Sequence, residues 1–294
     1  MDSKLEPVQL TPSMIPNLPN FDLPSPEVVR AQGDAQHLLG INPDKRKVYY
    51  PDPPYVSPPP VIFENMRLFV KWGSSVRVSE AQCLYAIRRF LRDNVPVPEV
   101  YGWRTDGDEK FIYMEYTEGQ TLEKVSICQE LRTIVDNLRR LEQDPSDPFI
   151  GNVVRESLYD RAFHISYMSE AGPIATVREF HEWFTFLPRR RMSDPYSVPV
   201  EPFRHDLPDN STIKFTHGDL HRSNIIVTPF APYRILAIVD WEQSGWLPAY
   251  WEARKAQYTA HWREEWSVRY LPMILDPYTS TWEPWDWYTS SMGC

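Results

Sequence analysis

Two apolar runs, Ile225-Ile226-Val227 and Ile235-Leu236-Ala237-Ile238-Val239, narrow what this chain can fold into more than any other stretch. Their β-branched density marks buried strands, and the segment between them reads as the turn of a hairpin. A hairpin brings the residue before its first strand and the residue after its second to one end, so Asn224 and Asp240 come close enough to share an ion. Asp219 stands five positions before Asn224, in a polar loop after a strand expected over Ile213 to Phe215. Phosphoryl transfer from ATP needs a carboxylate that orients the acceptor hydroxyl or amine, and oxygen ligands that hold Mg²⁺ against the phosphates. The three residues supply both. Two other readings stay open: polar residues of structural turns, and a zinc metallohydrolase with His217 and His221 as alternate ligands of one loop, although His37, His164, His181, His205 and His261 lie in no comparable motif.

Upstream, Val48-Tyr49-Tyr50, Val61-Ile62-Phe63 and Arg67 to Trp72 read as short strands, the last two joined at Glu64-Asn65. A side-chain period of two puts Lys71 on one face with Phe69. The run Ser79-Glu80-Ala81-Gln82 has the form of a capping box opening a helix with Leu84, Ile87 and Leu91 on one stripe. Glu80 falls on that stripe and points inward. A carboxylate buried alone costs several kcal/mol, which makes Lys71 on the neighbouring strand its natural partner; the alternative is a carboxylate that caps the first turn. Phe111 to Tyr116 is a further strand, and Thr117-Glu118-Gly119 marks a connector. A helix is expected from about Leu122 to Glu142, with Leu131, Ile134, Leu138 and Leu141 on one face, and others around Val177 to Phe186 and Trp251 to Tyr270.

Of the 29 prolines, 13 lie in the first 60 residues, which disfavours regular structure over most of that arm. One helix interrupts it, with Ser25 as cap and Pro26 at the first helical position. The whole chain is 42% hydrophobic and 14% aromatic, enough to bury a substantial core. A net charge of -9 opposes a nucleic-acid partner and suits a cationic small-molecule acceptor; the basic run Arg189 to Arg191, followed by Asp194, reads as a solvated face. Cys83, Cys128 and Cys294, odd in number and far apart, fit a reducing compartment. No run approaches the ~20 apolar residues of a membrane span, and the amino terminus has no signal-peptide core, so the expectation is a soluble cytoplasmic protein. Oligomeric state is not legible in these residues.

FTHGDLHRSNIIV and ILAIVDWEQSGW, with FVKWG, SEAQCL, PVPEVYGW and FIYMEYTEGQTL upstream in order, resemble the aminoglycoside phosphotransferase/choline kinase-like family, and most nearly its fungal members of unassigned substrate. The resemblance runs from about Val61 to Ala256. It implies an α+β, bilobal protein kinase-like fold: a small lobe with an antiparallel sheet and one key helix, a larger, mainly helical lobe, and ATP in the cleft. The divisions it suggests are a Pro-rich arm over 1–46, a nucleotide-binding lobe over 47–116, and a catalytic and acceptor-binding lobe over 117–294. Position by position it implies Asp219 as catalytic base, Asn224 and Asp240 as Mg²⁺ ligands, Lys71 on the α- and β-phosphates paired with Glu80, and Glu115, Tyr116 and Thr117 presenting backbone to adenine. His217 would organise the loop. Where such proteins place a loop of glycine or small polar residues over the phosphates, this chain reads PDPPYVSPPP, and proline removes N–H donors there. The expectation is therefore an ATP- and Mg²⁺-dependent kinase of a small-molecule hydroxyl, with a nucleotide-binding or partner-binding pseudokinase as the alternative.

Overall fold

Burial alternates along the start of Leu68–Gly73, with Leu68 and Val70 buried and Phe69 and Lys71 on the opposite side, and this strand lies inside a four-stranded antiparallel sheet. The order is Val61–Phe63, Leu68–Gly73, Glu109–Glu115, Val100–Asp106. Register pairs Val70 with Tyr113 and Lys71 with Ile112, so the two faces carry different chemistry. The Val70 face packs against Val29 of the Pro26–Leu38 helix, together with Val61, Leu68, Phe111 and Tyr113. The Lys71 face meets the Val78–Leu91 helix through Glu80. The computed structural model describes residues 6–17, 22–44, 58–121, 127–163, 170–190, 192–197, 202–260 and 263–292. The strand expected over Val48 to Tyr50, most of the Pro-rich loop and the first turn of the helix expected from Leu122 lie outside these residues.

The chain divides into two compact units. The first combines Ile15–Leu122 with Ile225–Glu242. Besides the sheet, it holds the expected hairpin: Ile225 pairs with Ile238 and Ile226 with Ala237, and Gln120–Thr121 extends the same small sheet. The second combines Met1–Met14, Glu123–Asn224 and Gln243–Cys294, and it is mainly helical. Its helices Val177–Phe186, Trp251–Thr259 and Trp282–Met292 bring Phe180, Phe184, Trp251, Trp285 and Tyr288 into one aromatic core with Phe163. The fold is thus α+β, with an antiparallel sheet and a key helix in one unit and most of the helix in the other.

The structure corrects some local expectations. Ser79 caps nothing: the helix starts at Val78 with Arg77 as its N-cap, and the Glu80 N–H already bonds the Arg77 carbonyl at 3.1 Å. Ser79 is inside the first turn, where a helical backbone cannot serve as a cap. A full capping box forms instead at Thr176 and Glu179. The Leu131 helix spans Cys128–Leu138, and Leu141 has left it to pair, with Glu142, against Val8–Gln9 of the arm. The helix starting at Trp251 ends at Thr259 rather than near Tyr270.

Candidate active site

The strand Ile213–Thr216 pairs with Gly245–Pro248 and delivers its next residues into a tightly bonded loop. Gly218 has φ +79°, and a Cβ there would stand 2.3 Å from the Gln243 carbonyl oxygen, so only glycine fits. Glu252, at the start of the Trp251–Thr259 helix, accepts the His217 N–H at 2.6 Å and the Gly218 N–H at 3.3 Å. His217 Nδ1 accepts the Asp219 N–H at 3.1 Å. The Asn224 amide donates to the Asp219 carbonyl at 2.9 Å and to its carboxylate at 3.3 Å. Asp219 and Asn224 are both buried, and burial pushes the His221 imidazole down while the Asp219 carboxylate opposes it. Every bond named here lies within the second unit.

In the first unit, Lys71 Nζ is held by three carboxylates: Glu80 at 2.7 Å, Asp240 at 3.0 Å and Glu242 at 3.2 Å. The pair suggested by the helix stripe is present. Burial alone pushes the Lys71 ammonium down, but Asp240, Glu242 and Glu80 outweigh it and hold its pKa well above the ordinary lysine value. Burial raises Glu80, aided by Asp240 and Glu242 and opposed by Lys71. Asp240 sits at φ +69°, a left-handed conformation that Asp adopts more readily than most residues and that surrounding contacts must hold. One such contact is the Trp241 indole N–H on the Ile238 carbonyl at 2.8 Å.

The three carboxylates offer oxygens within 4.8 Å of one another, and ionised they exceed the single ammonium by two negative charges. A divalent cation, which takes oxygen ligands, fits that donor set. Among the described residues this is the one such group of His, Cys, Asp and Glu, and neither His217 nor His221 belongs to it. Their Nδ1 atoms face the Asp219 amide and Ser223 instead.

Of the residues expected around adenine, Glu115 and Tyr116 have their amide hydrogens engaged, on the Glu99 and Arg67 carbonyls at 2.8 Å each. The end of the Pro-rich loop is fastened down. Trp72 Nε1 donates to the Pro59 carbonyl at 3.0 Å, and the Pro58 ring lies where a Cβ on Gly73 would be, 2.6 Å away.

Glu242, and the part Glu252 plays in holding the loop, are not legible in the sequence. Glu242 had an available signal, since in extended chain it shares a face with Asp240 two residues earlier. Glu252 had none, because its partners lie 34 and 35 residues away. Among the C-terminal aromatics, Trp285 is buried in the core, and Trp282 already carries the Arg254 guanidinium 4.7 Å above its ring.

No curated protein sequence matches the chain at a significant level. Among solved structures it is similar to the aminoglycoside phosphotransferase APH(4)-Ia, at 14% identity and a TM-score of 0.47, covering 77% of this chain and 76% of that one. It is also similar to the type VIII aminoglycoside-3'-phosphotransferase, at 15% identity and a TM-score of 0.43, covering 77% and 84%. The model of the phosphotransferase enzyme family, APH, matches residues 64–288 of the 294. That span takes in both the Lys71 cluster and the Asp219 loop, and the chain belongs to the phosphotransferase enzyme family.

Proposed function

We propose that this phosphotransferase uses ATP and Mg²⁺ to phosphorylate the hydroxyl of a small molecule. The observation that carries the reading is Lys71 ringed by Glu80, Asp240 and Glu242 with two negative charges in excess. An ammonium so held suits phosphate oxygens, and the surplus carboxylate charge suits a divalent ion. Asp240 and Glu242 would hold Mg²⁺, which neutralises charge on the phosphates when bound. Glu80 orients Lys71. The adenine role assigned to Glu115, Tyr116 and Thr117 falls to their carbonyls and to Thr117, because the other two amides are engaged.

Asp219 would accept the proton of the acceptor hydroxyl as its oxygen forms the new P–O bond and ADP leaves. Glu252, through the His217 and Gly218 amides, and Asn224, through its bonds to Asp219, hold that carboxylate in place. The test is ADP release from ATP across a panel of amines, amino alcohols and sugars, with wild type and Asp219→Asn compared on the responsive acceptor. The substitution is expected to lower kcat by about 10³-fold while leaving nucleotide binding intact. Turnover that survives it would remove Asp219 from the reaction.

A further inference from the structure

The run His217-Gly218-Asp219-Leu220-His221 carries two imidazoles, and the loop uses them differently. His217 Nδ1 receives one donor, the Asp219 N–H. His221 Nδ1 faces Ser223 twice, through its N–H at 3.3 Å and its Oγ at 2.7 Å. A backbone N–H can only donate, so His221 Nδ1 presents a lone pair and the neutral ring keeps its proton on Nε2. The ring is half-buried, and Nε2 has no protein partner among the described residues.

Other donors of the loop are turned elsewhere. The Arg222 guanidinium pairs with Glu264 at 3.1 Å, and the Asn224 amide is held on Asp219. His221 Nε2–H is therefore an open side-chain donor of this loop, two residues after Asp219, whose carboxylate is the strongest charge acting on the ring. A transferring phosphoryl group spreads negative charge over its oxygens, and a preorganised donor beside the base stabilises that charge.

We infer that His221 is a further catalytic residue: its Nε2–H donates to the phosphoryl group in flight, and Ser223 fixes the tautomer that makes this possible. The inference rests on the phosphotransferase reading above and goes beyond it. In the step, the acceptor hydroxyl passes its proton to Asp219 and its oxygen forms a bond to the γ-phosphorus. The bond from that phosphorus to the ADP oxygen breaks, with its electron pair leaving on ADP. His221 keeps its proton throughout.

Two variants separate a donor from a brace. His221→Gln carries an amide nitrogen near the Nε2 position, whereas His221→Asn carries one near Nδ1 and retains only the contact to Ser223. Calorimetry with Mg²⁺ and either ATP or ADP is expected to show ATP affinity about tenfold weaker in the Asn variant, ADP affinity unchanged, and the Gln variant within about threefold of wild type. On a responsive acceptor, kcat falls about 10²-fold in the Asn variant and less than tenfold in the Gln variant, with the acceptor KM unchanged. Long-range ¹H–¹⁵N spectra of the nucleotide-free wild type should show a bare Nδ1 and a protonated Nε2, a result that depends on neither variant. Equal losses in the two variants, or the opposite tautomer, would leave His221 as a loop brace and overturn the inference alone. A wild type that binds neither nucleotide would overturn the phosphotransferase reading and this inference with it.

Discussion

Half-buried Glu242 and fully buried His181 show how differently two ionisable residues can act. Glu242 is one of three carboxylates on Lys71, and replacing it by Gln halves the excess negative charge there while keeping the side chain's shape. Glu242→Gln is expected to raise the Mg²⁺ concentration needed for nucleotide binding about tenfold, measured by calorimetry with a non-hydrolysable ATP analogue. An unchanged Mg²⁺ requirement would restrict Glu242 to pairing with Lys71. His181, in the second unit, is fully buried, with Nδ1–H on Asp209 at 2.9 Å and Nε2 accepting the Tyr250 hydroxyl at 2.8 Å. Burial pushes its pKa down to about 4, against which the Asp209 hydrogen bond works, from 6.5 for the free side chain. Between those two values the unfolded chain binds a proton that the folded chain refuses, so this stability is complete above pH 6.5 and is lost as pH falls toward 4. The loss is on the order of 3 kcal/mol at completion. Urea titrations at pH 7.5 and pH 5 (roughly the limits that spare most carboxylates) should differ in wild type and differ much less in His181→Gln.

The Trp251–Thr259 helix is the element that organises the second unit's part of the site. Its Trp251 donates to Asp160 at 2.8 Å, its Lys255 reaches Asp160 at 2.6 Å and Gln243 at 3.0 Å, and its Glu252 holds the loop before Asp219. A helix that buries a tryptophan, a glutamate and a lysine within five positions has no polar stripe of the ordinary kind. Each of these three side chains has fixed polar partners. Glu252→Ala would orphan two buried amides, which costs about 2 to 4 kcal/mol. Glu252→Gln keeps one acceptor, and the expected outcome is a kcat roughly tenfold lower with nucleotide affinity unchanged. A parallel loss of nucleotide affinity would place Glu252 in binding rather than in holding the Asp219 loop. The capping residues teach a related lesson about elements. Ser79 and Thr176 have equally suitable side chains, but only Thr176 stands where the backbone is still extended, with φ -134° and ψ 155°.

At the scale of the whole molecule, the arm is part of the fold. Val8–Gln9 pairs with Leu141–Glu142 in the second unit, while the Pro26–Leu38 helix buries Val29 in the first and fastens Arg30 to Asp106 and Glu109 at 2.5 and 2.7 Å. Removing residues 1–44 would uncover Val61, Val70, Phe111 and Tyr113, and the expected result is a Tm lower by roughly 5 to 10 °C with no gain in ATP affinity. A truncated chain of unchanged Tm that binds ATP more tightly would make the arm a cover over the nucleotide instead.

The information legible in the residues alone is local. The periods of Leu68 to Trp72 and Ile225 to Val239 and the inward position of Glu80 follow from side-chain spacing within single elements, whereas the antiparallel sheet and the mainly helical lobe are implied by the family resemblance of the motifs. Which distant groups meet is set by the packing of the whole chain. Glu242 reaches Lys71 across 171 positions, Glu252 grips the His217 amide across 35, and Asn224 is drawn onto Asp219 while Asp240 is drawn onto Lys71. The physical reason is that spacing sets the direction of a side chain within its own element, whereas the partner waiting there is set by how elements from far apart in the chain pack together.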